Sequence, residues 1–456
     1  MTIEKSEGVS PTEKLLADLC ERSFLKLWSY PNPFKEDRKE LCDLLAVFGS
    51  HVFIFFDREK RQFENPDQDP DVAWKRWKRR VIDDQVATAH GAERYIRSGR
   101  DIFLDNGLKT PFPLKINRDN LTVHKIIVAH GAQEACKQAS DENVYGSLGV
   151  FYANKRDFDD YRFVIDIDRE NPVHVFDSVN LPIIFAELDT FYDLSQYLDT
   201  KLEAIGSVAS LSYCGEEDLL ANYFLNFDEK EKKHFIGMPR NTEETRQHFD
   251  GIHIGEGDWQ NFIKRPEYKN KKSADKVSYL WDQIIQKTAN NALTGTLEGA
   301  SPLDGRSAIH EMAMEPRFIR RALSRHMIEA VENFPDGDGM MRNLSFMPSF
   351  YEGKGYVFLQ TKGVTDRNIR RQLLEIGCGA TRNQFQHLKT IVGIGVEAPK
   401  YSSTIGEDFI LMDCQNWPED RRKDYEEANT VVGFYQSETL TAKRQSVRNF
   451  PSSNES

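Results

Sequence analysis

What this chain lacks narrows its class first. Its 456 residues hold six cysteines, at 20, 42, 136, 214, 378 and 414, with no CxxC pair. That excludes a disulfide framework or a zinc ribbon and suits a reducing compartment. No stretch approaches the ~18 consecutive apolar residues of a membrane span, so no membrane contact is expected. The first residues, MTIEKSEGVSPTEK, lack the apolar core of a secretion signal. No Walker lysine loop, no dinucleotide fingerprint and no Gly-x-Ser-x-Gly elbow occurs; Gly393-Ile394-Gly395 follows an apolar run without completing one. His310-Glu311 lacks the second histidine that a zinc-protease helix requires. His248, Asp250 and His253 have no further ligand at metal-site spacing. A positive balance is missing too: 60 Lys and Arg face 72 Asp and Glu, a net −12, so no overall field draws the chain to nucleic acid or an anionic membrane. Residues 1–110 are the part a polyanion approaches at least cost, with 19 basic and 20 acidic side chains.

What is present is ordinary globular material. Apolar residues make up 39%, enough to bury real cores, and the length asks for two or three domains. Ser10-Pro11-Thr12-Glu13 is a capping box with proline at the first helical position, and Leu16, Leu19, Cys20, Phe24 and Leu27 continue a helix to about Trp28. Leu41–Phe48 and Val52–Phe56 are apolar on both faces, as strands covered on both sides are. After a polar loop at 61–70, Asp69-Pro70 opens a long helix whose stripe includes Trp74, Trp77, Val81, Ile82, Gln85, Ala89, Ala92 and Ile96. Lys75, Lys78, Arg79 and their neighbours occupy mainly the other faces. The run from Leu121 to Ala129 reads as the next strand.

Further on, 145–153, 161–168 and 172–177 read as strands and 181–204 as one helix. A domain junction is expected within 205–275. Helices follow at 277–292 and 306–333, bent at Pro316. Strands at 356–361, 390–397 and 407–413 enclose a helix at 365–377, and the last twenty residues lack apolar periodicity. The expected divisions are 1–175, a mainly helical 176–300, an α/β region 301–440 and a flexible 441–456.

The dense chemical signal lies around the first hairpin: Lys39-Glu40-Leu41-Cys42-Asp43 before one strand, Asp57-Arg58-Glu59-Lys60 after the next. Carboxylates at those two ends lie close in space. Two or three of them converging at a sheet edge would hold Mg²⁺ or Mn²⁺, which prefer oxygen ligands and keep waters for a phosphate substrate. Register decides whether they meet. Asp43 opposes Asp57 only across a three-residue loop, Gly49-Ser50-His51; a two-residue Gly49-Ser50 turn puts the acids on opposite faces unless a bulge intervenes.

The order helix, strand, strand, helix, strand with these acids resembles the PD-(D/E)XK, or restriction-endonuclease-like, nucleases, most closely the nuclease-related-domain branch, over about residues 10–131. The resemblance implies an α-β-β-α-β N-terminal domain of that fold with a mixed α+β C-terminal region. It implies a cytoplasmic, bacterial, Mg²⁺-dependent nuclease acting on DNA, of a kind that serves in defence against foreign DNA. By it, Asp43 is the central metal ligand, Asp57 the second acid, Glu13 or Glu40 the outlying glutamate, Lys60 the base near the scissile phosphate and Gln85 the polar residue of the following helix. Arg58, Lys75, Lys78 and Arg79 would contact nucleic acid, and the acidic remainder would recruit a protein partner.

One position departs from the family. Its lysine belongs two residues after the acid, where alternate residues share a face, and position 59 is Glu. Either a bulge realigns Lys60, or Glu59 is itself a metal ligand, or the domain is a catalytically inactive nucleic-acid-binding or scaffold module. Each residue also has a structural reading: Glu13 as a capping residue, Gln85 bonding buried backbone, Lys75 to Arg80 as a solvated face, Trp74 and Trp77 as core.

Overall fold

The computed structural model describes residues 10–60, 63, 68–139, 145–154, 161–237, 250–294, 302–364, 366–402, 407–436, 442 and 447–451. The chain forms two compact units, dividing between Arg265 and Pro266. That division falls inside the stretch expected to hold a junction. The expected divisions after 175 and 300 do not coincide with it, because the strand ending at Asp177 completes the sheet begun near residue 30.

The first unit contains α1 (Pro11–Trp28), β1 (Ser29–Pro31), β2 (Leu44–Phe48), β3 (His51–Glu59), α2 (Pro70–Lys78), α3 (Asp84–Arg97), β4 (Thr122–His130), β5 (Gly149–Ala153), β6 (Val164–Asp168), β7 (His174–Asp177), α4 (Asn180–Glu187), α5 (Phe191–Ser207), β8 (Ser210–Cys214), α6 (Glu216–Leu225) and β9 (Gly251–Ile254), with shorter pieces between. It is mixed α/β. One sheet has the order β1-β2-β3-β4-β7; a second has the order β9-β8-β5-β6. In the first, β2 runs antiparallel to both neighbours, while β3, β4 and β7 are parallel.

Local chemistry sets these elements. The Ser10 hydroxyl accepts the Glu13 N–H at 3.1 Å and Glu13 reaches back to the Ser10 N–H at 3.4 Å, so the capping box opens α1. Asp69 caps α2 in the same way through the Asp71 and Val72 amides. A single wide turn, Arg79–Asp83, joins α2 to α3. Sheet alternation divides the core: Leu45, Val47, Val52, Ile54 and Phe56 pack with Ala89, Ala92 and Ile96 of α3. On the opposite face Phe53 meets Phe24 of α1 at 4.7 Å, and Phe48 stacks on Phe191 of α5 at 4.2 Å. Both faces are covered, which is why the strand sequences show no polar alternation.

The expected helix at 181–204 is two. Thr190 accepts the Asp193 N–H at 3.0 Å and starts α5 afresh. Strands β8 and β9 lie among the helices of the middle of the chain.

The second unit holds α7 (Tyr279–Thr294), α8 (Pro302–Ala313), α9 (Arg317–Glu332), β10 (Met341–Pro348), β11 (Lys354–Lys362), α10 (Arg367–Gln384), β12 (Thr390–Glu397), β13 (Glu407–Asp413) and α11 (Glu419–Val432). Its sheet runs β10-β11-β12-β13, with α10 crossing between the parallel pair β11 and β12. Pro316 separates two helices instead of bending one, because it caps α9. Gly393 and Gly395 admit α10: a Cβ at Gly393 would lie 2.7 Å from the Cys378 sulfur. Near the C-terminus, expected to be flexible, the Arg321 guanidinium donates to the carbonyls of Arg448 and Asn449 at 3.4 and 3.1 Å. Among the described residues no helix is long and apolar enough to cross a membrane.

Candidate active site

The carboxyl ends of parallel strands are where open α/β sheets gather ligand-binding groups. Here β3 ends in Asp57-Arg58-Glu59, β4 in His130 and β7 in Asp177, held level because Glu59 pairs with His130 and Ala129 with Asp177. Asp57 is buried; its Oδ1 accepts from the Thr12 hydroxyl at 2.8 Å, and its Oδ2 lies 3.5 Å from His130 Nε2 with no hydrogen-bond partner of its own. Thr12 belongs to the first turn of α1, whose positive dipole end favours an anion there. His130 Nδ1 and the Ser178 hydroxyl are 2.8 Å apart.

The hairpin brings the Asp43 carboxylate to the Asp57 backbone by an irregularity. The turn is the two-residue one, with Phe48 opposite His51 and Leu44 opposite Phe55, and Gly49 has φ +60°. Continued to Asp43, this register would send its side chain to the face away from Asp57. Instead the Asp43 N–H donates to the Phe55 carbonyl at 3.0 Å, one step out of register. The Asp57 N–H, left without a ladder partner, donates to Asp43 Oδ2 at 2.6 Å. The slip turns the Asp43 carboxylate toward the Asp57 backbone.

Burial pushes the Asp43 carboxyl up to about 7; Arg58 and the Asp57 N–H draw it down, and Glu40 and Glu13 push it further up. Arg58, Glu40 and Glu13 are thus the charged groups that act on Asp43. Arg58 Nη1 is 3.6 Å from Asp43 Oδ1. Glu40 accepts from the Asn32 amide at 2.6 Å.

Other expected residues fall elsewhere. Glu59, the last residue of β3, and Lys60 beyond it are exposed, so Arg58, not Lys60, is the cation beside Asp43. Gln85 is buried in α3 with its amide 3.5 Å from the Arg80 carbonyl; no hydrogen bond joins it to either aspartate. Lys75 and Arg79 are exposed on α2 and the turn after it. Lys78 is buried, 3.6 Å from Asp83, because it continues the inward stripe of Trp74 and Trp77; it is not a surface contact for nucleic acid. The two tryptophans are core, stacked at 5.4 Å, and Trp77 Nε1 donates to the His130 carbonyl at 3.0 Å. His253 bonds Ser212 at 2.8 Å, and His248 lies outside the described residues.

Sequence reading missed Thr12, His130 and Ser178. The His-Gly after a buried strand was the available signal for His130, since parallel strands align their ends. Behind them Asp177 accepts three backbone N–H groups, from Leu148, Val179 and Asn180. Glu217, bonded by Ser147, is pushed up by burial and then by Asp177.

Among the described residues, one set of three metal-ligating side chains has its donor atoms within 4.8 Å of one another: His51, His124 and Asp199, at the opposite ends of β3 and β4. Burial drives the His124 imidazole down to about 3, so it is neutral. No family model, curated protein or solved structure matches this chain.

Proposed function

We propose that the first unit is a divalent-metal-dependent phosphodiesterase acting on nucleic acid, with DNA the expected substrate, and that Asp43 and Asp57 hold the metal. The observation that carries this reading is the register slip that bonds the Asp43 carboxylate to the Asp57 N–H. The strand order β1-β2-β3-β4-β7, with β2 alone reversed and helices on both faces, supports a restriction-endonuclease-like core.

The donors suit Mg²⁺ or Mn²⁺. Asp57 Oδ2 is a buried acceptor with no hydrogen bond, and Mg²⁺ typically takes one or two carboxylates plus waters and substrate phosphate. Once bound, such an ion supplies an activated water and offsets charge on phosphorus. Glu13 and Glu40 add negative charge that favours the cation. Arg58 stands where a phosphate oxygen would need a positive partner. His130, between Asp57 and Ser178, is placed to orient Asp57 or pass a proton.

Glu at 59 and the exposed Lys60 favour a second reading, a nuclease-like nucleic-acid-binding or scaffold module without catalysis. One experiment separates the two. Plasmid DNA and single-stranded RNA are incubated with the full chain in Mg²⁺, Mn²⁺ or EDTA. The proposed activity gives metal-dependent cleavage lost in Asp43→Asn and Asp57→Asn. Binding of either polymer without cleavage supports the second reading.

A further inference from the structure

We propose a transition-metal site, of the class that binds Zn²⁺, formed by His51, His124 and Asp199 at the end of the sheet opposite the acidic cluster. His51 opens β3 and Asp57 lies six positions on, so the two centres are about 20 Å apart along one strand.

The sheet and one helix build the site. In the parallel pair, Phe53 lies beside His124, which puts His51 and His124 on one face with their rings stacked at 5.5 Å and 4°. Helix α5 crosses that face, anchored by Phe191 on Phe48 and Phe53, and delivers Asp199 two turns later. Asp199 Oδ2 is 3.1 Å from His51 Nε2, and Oδ1 is 3.4 Å from His124 Nε2. Donors bound to Zn²⁺ at about 2.0–2.1 Å in tetrahedral geometry sit about 3.3 Å apart, close to these two spacings; the full set lies within 4.8 Å, so binding an ion would draw and turn the two imidazoles together.

A plain histidine–aspartate ion pair accounts for His51. It does not account for His124, whose side chain is fully buried. Neither of its ring nitrogens makes a hydrogen bond; the 3.4 Å approach to Asp199 lacks the alignment. A buried polar group left without a partner costs roughly 1–3 kcal/mol, and native structures rarely tolerate it without a reason. A metal on Nε2 supplies one. Two imidazoles and one carboxylate form the donor set of three-ligand zinc sites, which keep an open position. His51 and Asp199 are 20% and 35% exposed, so that position faces solvent. The same donors discriminate against Mg²⁺, which prefers oxygen.

The test uses the full chain after EDTA dialysis, titrated with ZnCl₂ by calorimetry and with Co²⁺ by visible absorption. The expected result is one Zn²⁺ per chain and d–d bands for bound Co²⁺. His51→Ala and Asp199→Asn, both at partly exposed positions, should weaken Zn²⁺ binding by more than about a hundredfold, beyond what losing a supporting group costs. Asp43→Asn should leave it unchanged, and millimolar Mg²⁺ should not compete. Absence of saturable Zn²⁺ binding, or equal affinity in the His51 and Asp199 variants, overturns the proposal.

Discussion

The Asp43 carboxylate accepts the backbone N–H of Asp57 at 2.6 Å, across a hairpin whose regular register would have kept the two apart. A side chain replaces a ladder bond, and a buried acid is stationed at the strand end as a result. Its pKa of about 7 stands above the ~3.9 of an unfolded aspartate, so over that interval the folded state binds more protons and stability falls as pH rises. Asp43→Asn removes the titrating group. Urea denaturation at pH 5 and pH 8 should show the wild type losing about 2.5 kcal/mol more than the variant between the two. Equal losses would mean that Asp43 does not carry the buried charge.

Arg58, not Lys60, faces the acids. Arg58→Met should lower metal-dependent cleavage by roughly a hundredfold or more, in the range lost with one transition-state donor, while Lys60→Met stays within about threefold of wild type. Steady-state rates with the same plasmid substrate check both. The reverse order would return the lysine to the site.

Gly131 is conformationally required where β4 ends. Its φ is +92°, and an added Cβ would meet the Lys60 carbonyl at 2.4 Å. Gly131→Ala should cost about 2 kcal/mol or more and lower cleavage as well, by separating the ends that carry Asp57 and His130. Gly49→Ala, also at positive φ but with no atom within 4 Å, should cost about 1–2 kcal/mol and spare activity. Thermal melts alongside rate assays distinguish them.

A buried ion pair elsewhere in this unit tests the packing. Lys201 Nζ bonds both Glu216 oxygens, at 2.8 and 2.7 Å, with the Tyr197 and Tyr213 hydroxyls on the same carboxylate. Lys201→Met leaves that charge uncompensated and should cost about 3–5 kcal/mol; adding Glu216→Gln should recover part of it. Chemical denaturation of the single and double variants measures the coupling, and additive losses would contradict it.

Much of the frame was legible in the sequence because it is written locally. The Ser10 and Asp69 caps, the doubly apolar hairpin and the tryptophan stripe each depend on residues a few positions apart. Thr190 with Asp193 carries a similar cap signal, but the apolar periodicity runs on across it, so α4 and α5 read as one helix. The alternating run Met341–Pro348 hid β10 in the same way. The site was half legible. Residue type marked Asp43 as costly to bury, but its contact with the Asp57 backbone depends on a one-residue slip that no spacing rule announces. Thr12 and His130 reach Asp57 only through helix and strand packing. His51 and Asp199 are 148 positions apart, so nothing in either neighbourhood points to the other.

The central claim is that Asp43 and Asp57 together hold one divalent cation, and Mn²⁺ binding followed by electron paramagnetic resonance tests it most directly. With Zn²⁺ present to fill any histidine site, the wild type should bind one Mn²⁺, competed by Mg²⁺, more tightly at pH 8 than at pH 5 because the cation displaces the Asp43 proton. Asp43→Asn and Asp57→Asn should each abolish that binding. Undiminished Mn²⁺ binding in both folded variants would contradict the account.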